Sequence, residues 1–342
     1  MRRFVLPLLA LVLPSLVLPS LASAQVAAGP TLASVRSKGA LECSAALGTP
    51  GFGAPDSQGV WQGLDPDFCR AIAAAVLGEP RVRFVPMSGA QRMPALQSGQ
   101  VDVLIQTLTW SQSRDASGID FPAINFYDGQ SFLLRRSMNV QRSTELGGAT
   151  ICTTSGSTSE LNLADWARAN NIRYQPVVFE RTDELRSAYI SGRCDAYSTD
   201  ASQLAAVRSA LPDPANHVVL AERISKEPLG LAVRHGDNQW ADIVRWVSYA
   251  LVEAEELGVT RANVDAMLQN PSPPIRRLLG VSGDHGPSMG LDRRWAYFAI
   301  KAVGNYGEIY ERHVGADTPI GLERGPNALW NRGGLMYAPP IR

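Results

Sequence analysis

The stretch DPDFCRAIAAAVLGEPRVRFV, residues 65–85, reads as a helix running into a strand. Asp65 has the chemistry of an N-cap, Pro66 suits the first helical position, and Phe68, Ile72, Ala75 and Val76 fall on one face. Gly78 closes the helix, and the run Val82 to Val85 has strand composition. Upstream, Leu41 to Ala46 reads as a first strand, followed by a loop rich in Gly and Pro. Downstream come a short helix around Ala95 to Gln97 and a strand from Val101 to Ile105. Strand and helix therefore alternate, the grammar of a parallel sheet covered by helices.

The same grammar returns from Ala149. Residues 149–154 form a strand, Ser155-Gly156-Ser157-Thr158 a turn, and Leu161, Leu163 and Trp166 mark a helix. Strand Val177 to Phe179, helix Leu185 to Ser191 and strand Cys194 to Thr199 follow, stopping at Asp200. Two α/β lobes are expected, joined near Tyr127-Asp128-Gly129. A further strand, Pro228 to Arg234, precedes an amphipathic helix carrying Ile243, Val247, Ala250, Leu251, Ala254 and Leu257. The tail from 270 to 342 is punctuated by Pro and Gly, with a helix near Trp295 to Val303.

The chain has 342 residues, 45% of them apolar, which is globular composition with room for two domains. Its 32 basic and 32 acidic residues cancel and are interspersed, so neither a nucleic acid nor an anionic membrane surface is indicated as partner. Residues 1–24 have the form of a secretory signal peptide: Arg2 and Arg3, an apolar run broken by Pro7, Pro14 and Pro19, then Ala22-Ser23-Ala24. Those prolines argue against a membrane-spanning helix, and no Cys follows the small residues to carry a lipid. Export gives meaning to Cys43, Cys69, Cys152 and Cys194, since an even number in an oxidising compartment indicates disulfides. Three pairings exist. Cys43–Cys69 and Cys152–Cys194, each within one half of the chain, is the preferred one, and buried free thiols are the alternative. The scattered histidines and the lack of CxxC argue against a metal site.

Ligands of open α/β sheets bind beyond the carboxyl ends of the strands. Three polar clusters lie at such ends: Thr107 and Thr109 with Arg114, Ser155 to Thr158, and Thr199-Asp200. Arg114 offers a planar, always-charged fork for a carboxylate, assisted by Thr109, and Thr158 with Ser157 stands at a helix N-terminus. Asp200 would accept from an ammonium. An α-amino acid carries both groups on one carbon, and a cleft between lobes would bring all three clusters onto it. Taken singly, Arg114 reads more readily as a surface salt bridge, Asp200 as the cap of the following helix and Ser155 to Thr158 as an ordinary turn.

With its segments GLDPDFCRAIAAAVLG (63–78), MPALQSGQVDVLIQTLTWSQSR (93–114), FYDGQSFLLRR (126–136), CTTSGSTSEL (152–161), GRCDAYSTD (192–200) and VGNYGEIYERHVG (303–315), the chain resembles the polar amino-acid family of periplasmic solute-binding proteins serving ABC transporters. ELNLADW (160–166), ISKEPLGLAVRHGDNQW (224–240) and NALWNRGGLMYAPPIR (327–342), with the chain's length, resemble its general L-amino-acid-binding branch. The resemblance implies a type II periplasmic-binding fold of two lobes, each a mixed, mostly parallel sheet flanked by helices, with a two-strand hinge. The implied division is residues 25–128 for the first part of lobe 1, 129–228 for lobe 2, and 229–342 for the return to lobe 1 plus a C-terminal extension.

Carried over residue by residue, the resemblance makes Arg114 and Thr109 carboxylate anchors, Thr158 a backbone donor to the same group and Asp200 the ammonium acceptor. Phe52 is placed over the ligand. Gly48 and Thr49 stand where many members have an acidic residue. With Gln106, Thr107 and Thr199, they leave a neutral surround suited to several side chains. The implied function is capture of L-amino acids, polar and acidic ones included, for a membrane permease by a monomer without a cofactor. An exported dehydratase-like enzyme on the same fold is the alternative, and it would need a general acid/base in the cleft.

Overall fold

The computed structural model describes residues 27–46 and 48–342. The expected leader, residues 1–24, lies outside the described residues. After helix Pro30–Lys38 (α1), strands Leu41–Ala45 (β1) and Val82–Pro86 (β2) pair in parallel around helix Leu64–Leu77 (α2). Helix Arg92–Gln97 (α3) leads to strand Leu104–Thr109 (β3), then to the long strand Ile119–Asp128 (β4). The small residues of α2 have a packing reason. Every residue from Leu64 to Val76 except Arg70 is buried, so the Ala-rich faces let neighbouring elements approach closely on all sides.

The second lobe holds strands Gln130–Arg135 (β5), Thr150–Thr154 (β6), Gln175–Phe179 (β7), Ala196–Asp200 (β8) and His217–Val219 (β9), in the order β9-β5-β8-β6-β7. Helices Thr158–Ala169 (α4), Thr182–Ile190 (α5) and Ala201–Ser209 (α6) cover it. Successive strand residues feed opposite faces: Phe132, Ile151 and Ala196 join Trp166 on one side, while Leu133, Cys152 and Tyr197 join Tyr189 on the other.

The chain then returns as strand Glu227–Arg234 (β10), antiparallel between β3 and β4, with Glu227 opposite Asp128. Two crossings therefore run side by side between the lobes, the hinge that the sequence indicates. Because the crossing strands pair antiparallel while β1–β2 and β8–β6–β7 are parallel, both lobes are mixed. Helix Asn238–Glu256 (α7), helix Trp295–Val303 (α8) and helix Tyr306–His313 (α9) complete the first lobe's core. Both disulfides join the expected pairs, Cys43–Cys69 and Cys152–Cys194, one in each lobe.

Two local readings are corrected. Helix α2 is preceded by Gly63 at φ 132°, not capped by Asp65. A Cβ on Gly63 would meet the Phe52 carbonyl at 2.5 Å, so only glycine admits the loop this close, and Asp65 turns inward instead. The strand expected at 101–105 runs from 104 to 109 because Asp102 is diverted. Its carboxylate accepts from the Glu42 N–H (2.9 Å) and Lys38 Nζ (2.9 Å), while Val103 bridges Cys43 of β1 in parallel before the chain enters the antiparallel pairing with the returning strand.

The C-terminal extension packs on the first lobe. Arg324 grips Glu255 with both Nη atoms (3.1 and 3.0 Å) and lies over the rings of Tyr306 and Tyr310. Asn327 accepts from the Tyr127 N–H (2.7 Å) and donates to its carbonyl (3.0 Å), closing the free edge of β4 just before the hinge. Among the described residues no helix is long and apolar enough to cross a membrane.

Candidate functional site

Strand ends from both lobes converge on one cavity of about 80 Å³. The first lobe contributes Thr49, Arg92, Gln106, Thr107 and Thr109, and the second contributes Ser157, Thr158, Glu180, Asp200 and Gln203. The lobes touch across it. Gln203 Nε2 donates to Thr107 Oγ1 and to Asp200 Oδ2, both at 3.1 Å, and the hydroxyls of Thr109 and Thr158 lie 3.2 Å apart.

Thr107 is held in a left-handed conformation (φ 42°), uncommon for a β-branched residue. The cause is Asp65, whose Oδ2 accepts from the Thr107 N–H (3.0 Å) and whose Oδ1 accepts from Asn125 Nδ2 (3.3 Å). Burial pushes the Asp65 carboxyl up to about 7. The residue read as a cap is thus a buried support for the cavity floor.

The charges are buried and of both signs. Asp200 is 3% exposed, and burial, then the carboxylates of Asp128 and Glu227, hold its carboxyl well above the usual range. Arg92 is 9% exposed and donates from Nη1 to the Gln106 carbonyl (2.9 Å). Burial, then the like charge of Arg114, pulls its guanidinium down to about 9. Gln106 donates to the Met87 carbonyl (2.9 Å), and its buried Oε1 has no partner among the described residues. A pocket with a desolvated cation, a desolvated anion and free amide and hydroxyl oxygens fits a small zwitterion.

Five of the seven ligand residues expected from the sequence, Thr107, Thr109, Ser157, Thr158 and Asp200, line this cavity. Arg114 is not in its wall: its Nη1 is folded back on the Thr109 carbonyl (2.9 Å), within electrostatic reach of Glu227 and Asp200. Burial lowers the Arg114 pKa. Phe52 is the correction: it is fully buried in the first lobe's core, its ring edge-on to Phe126 at 5.2 Å, and does not reach the cavity. The loop after β1 turns Phe52 inward against the start of α2, where its carbonyl receives the Asp65 N–H.

Arg92, Gln203 and Glu227 were not singled out from the sequence. Arg92 directly precedes the MPALQ segment, where its side chain reads as an ordinary surface guanidinium. Gln203 carries a usable signal, since it lies three residues after Asp200 and so on the same side of α6.

A family model described as bacterial extracellular solute-binding proteins, family 3, matches residues 41–262. The chain is 51% identical to the general L-amino acid-binding periplasmic protein AapJ of Rhizobium johnstonii, over 93% of this chain and 95% of the relative. It is 53% identical to the glutamate/glutamine/aspartate/asparagine-binding protein BztA of Rhodobacter capsulatus, over 93% and 95%. The solved structure of an ABC transporter periplasmic binding protein from Brucella ovis, with glutathione bound, superposes with a TM-score of 0.90 at 50% identity, covering 92% of this chain and all of that one.

Proposed function

The chain belongs to family 3 of the bacterial extracellular solute-binding proteins, and from that premise we propose that it captures L-amino acids in the interlobe cavity and hands them to the permease of an ABC importer. The observation that carries this reading is the cavity's charge pattern: Asp200 from one lobe and Arg92 from the other line one small space, with Arg114 held on the carbonyl of cavity-lining Thr109, all three desolvated. An α-ammonium would lie against Asp200 and Gln106 Oε1, and an α-carboxylate against the guanidinium side. The neutral hydrogen-bonding groups Gln106, Thr107 and Gln203 beside these charges suit polar side chains, so acidic and amide ones both belong in the proposed range. The AapJ and BztA relatives, named for binding such amino acids, support this.

The proposal includes removal of residues 1–24 on export to the periplasm and action as a monomer. It also places the lobe boundaries at 128/129 and 228/229. Hinge closure over the ligand is driven by contacts made only in the closed form, since a ligand shifts an equilibrium only by its differential affinity.

Calorimetry against all twenty L-amino acids tests the reading. Binding of several is expected, with Arg114→Ala weakening each by about 2–5 kcal/mol, roughly 30-fold or more. Wild-type protein that binds no amino acid overturns it. Acting as an exported dehydratase would require turnover, and unchanged amino-acid-like substrates after incubation with the protein are the expected result.

A further inference from the structure

Glu227 sits at the first residue of β10, in the hinge, with 1% of its surface exposed. Four side chains donate to its carboxylate: Thr109 Oγ1 (2.5 Å), Thr158 Oγ1 (3.1 Å), Asn162 Nδ2 (2.5 Å) and Ser225 Oγ (2.6 Å). They come from three places. Thr109 ends β3 of the first lobe, Thr158 and Asn162 lie on α4 of the second, and Ser225 lies on the crossing itself. A buried carboxylate demands such donors, because each unmet acceptor would leave its desolvation uncompensated.

We propose that Glu227 is a positioning residue, an internal latch that joins the two lobes. Opening the hinge separates β3 from α4, so the bonds from Thr109 and from Thr158 and Asn162 cannot all persist in the open form. They stabilise closure whatever the ligand. The two threonine hydroxyls, 3.2 Å apart and both bonded to Glu227, tie the latch to the cavity wall. This rests on the amino-acid reading of the cavity and adds a residue that does not act by touching the ligand.

Asn162 is the cleaner probe, being tied to Glu227 but outside the cavity wall. For Asn162→Ala and Glu227→Gln, stopped-flow fluorescence should show dissociation faster by about tenfold for every amino acid that binds, with association little changed. Small-angle scattering of both ligand-free variants should show an ensemble shifted to larger radius of gyration. Their melting temperature without ligand separates a latch from a support of the fold. A lowered value with wild-type dissociation rates and wild-type radius overturns the latch, as does wild-type behaviour in all three measurements. Failure of the wild-type protein to bind any amino acid would instead overturn the underlying reading, so the two failures are distinguishable.

Discussion

At Asp200, burial and the nearby carboxylates of Asp128 and Glu227 hold the carboxyl well above the usual range, whereas an ammonium against it favours the ionised form. The sign follows: at pH values below the free protein's raised value, an arriving ammonium displaces a proton. Binding should therefore release a proton, and affinity should fall as pH drops below the free protein's value and level off above it. Calorimetry in buffers of different ionisation enthalpy reads that proton directly. Asp200→Asn should abolish the release and weaken all amino acids alike, whereas unaltered proton release in that variant would remove Asp200 from the site. Asp65, pushed up to about 7, acts on stability instead: more protonated in the folded than in the unfolded chain, it lowers stability as pH rises from its ordinary value towards 7. That Asp200 and Thr109 would stand at the cavity was legible because both end strands, where ligands of open sheets bind. The part played by Arg92, Asp65 and Glu227 was not, since it comes from burial and from partners distant in the chain.

Elements were legible in kind and order, less so in their ends. The alternation of strand and helix survives because β-branched runs and Ala-rich amphipathic stretches bury their apolar faces wherever they begin. Boundaries moved where tertiary partners intervene: residues 102 and 103 bond to β1 before the strand at 104–109 begins, and Gly63 supplants Asp65 at a helix entry. Each lobe is also closed covalently within itself. In the second, Cys152 on β6 and Cys194 just before β8 are separated by 42 positions. Replacing both with serine should destabilise that lobe by about 2–4 kcal/mol through the wider unfolded ensemble. Denaturant titration of the variant checks this. Ligand affinity measured well below the transition should change little, because the bond lies within one lobe and crosses no hinge.

For the whole molecule, the two-lobe plan could be read from a grammar written twice, and the join near Tyr127-Asp128-Gly129 from the stretch between the two copies. The placement of the C-terminal extension could not, because its anchors are scattered: Leu329, Met336 and Ile341 in the core, Arg324 on Glu255 and Asn327 on the Tyr127 backbone, with no periodic pattern. Strand β4 is the border of its sheet, and Asn327 occupies the backbone groups that a further strand would use. A chain ending before Arg324 would present an open rim there, beside the crossing between lobes. Such a shortened protein should still bind amino acids but self-associate with rising concentration, visible by light scattering, through copies adding strand to strand at the bared rim. That outcome would make the extension a stopper against polymerisation, keeping the strand that crosses between the lobes from being templated by neighbouring copies.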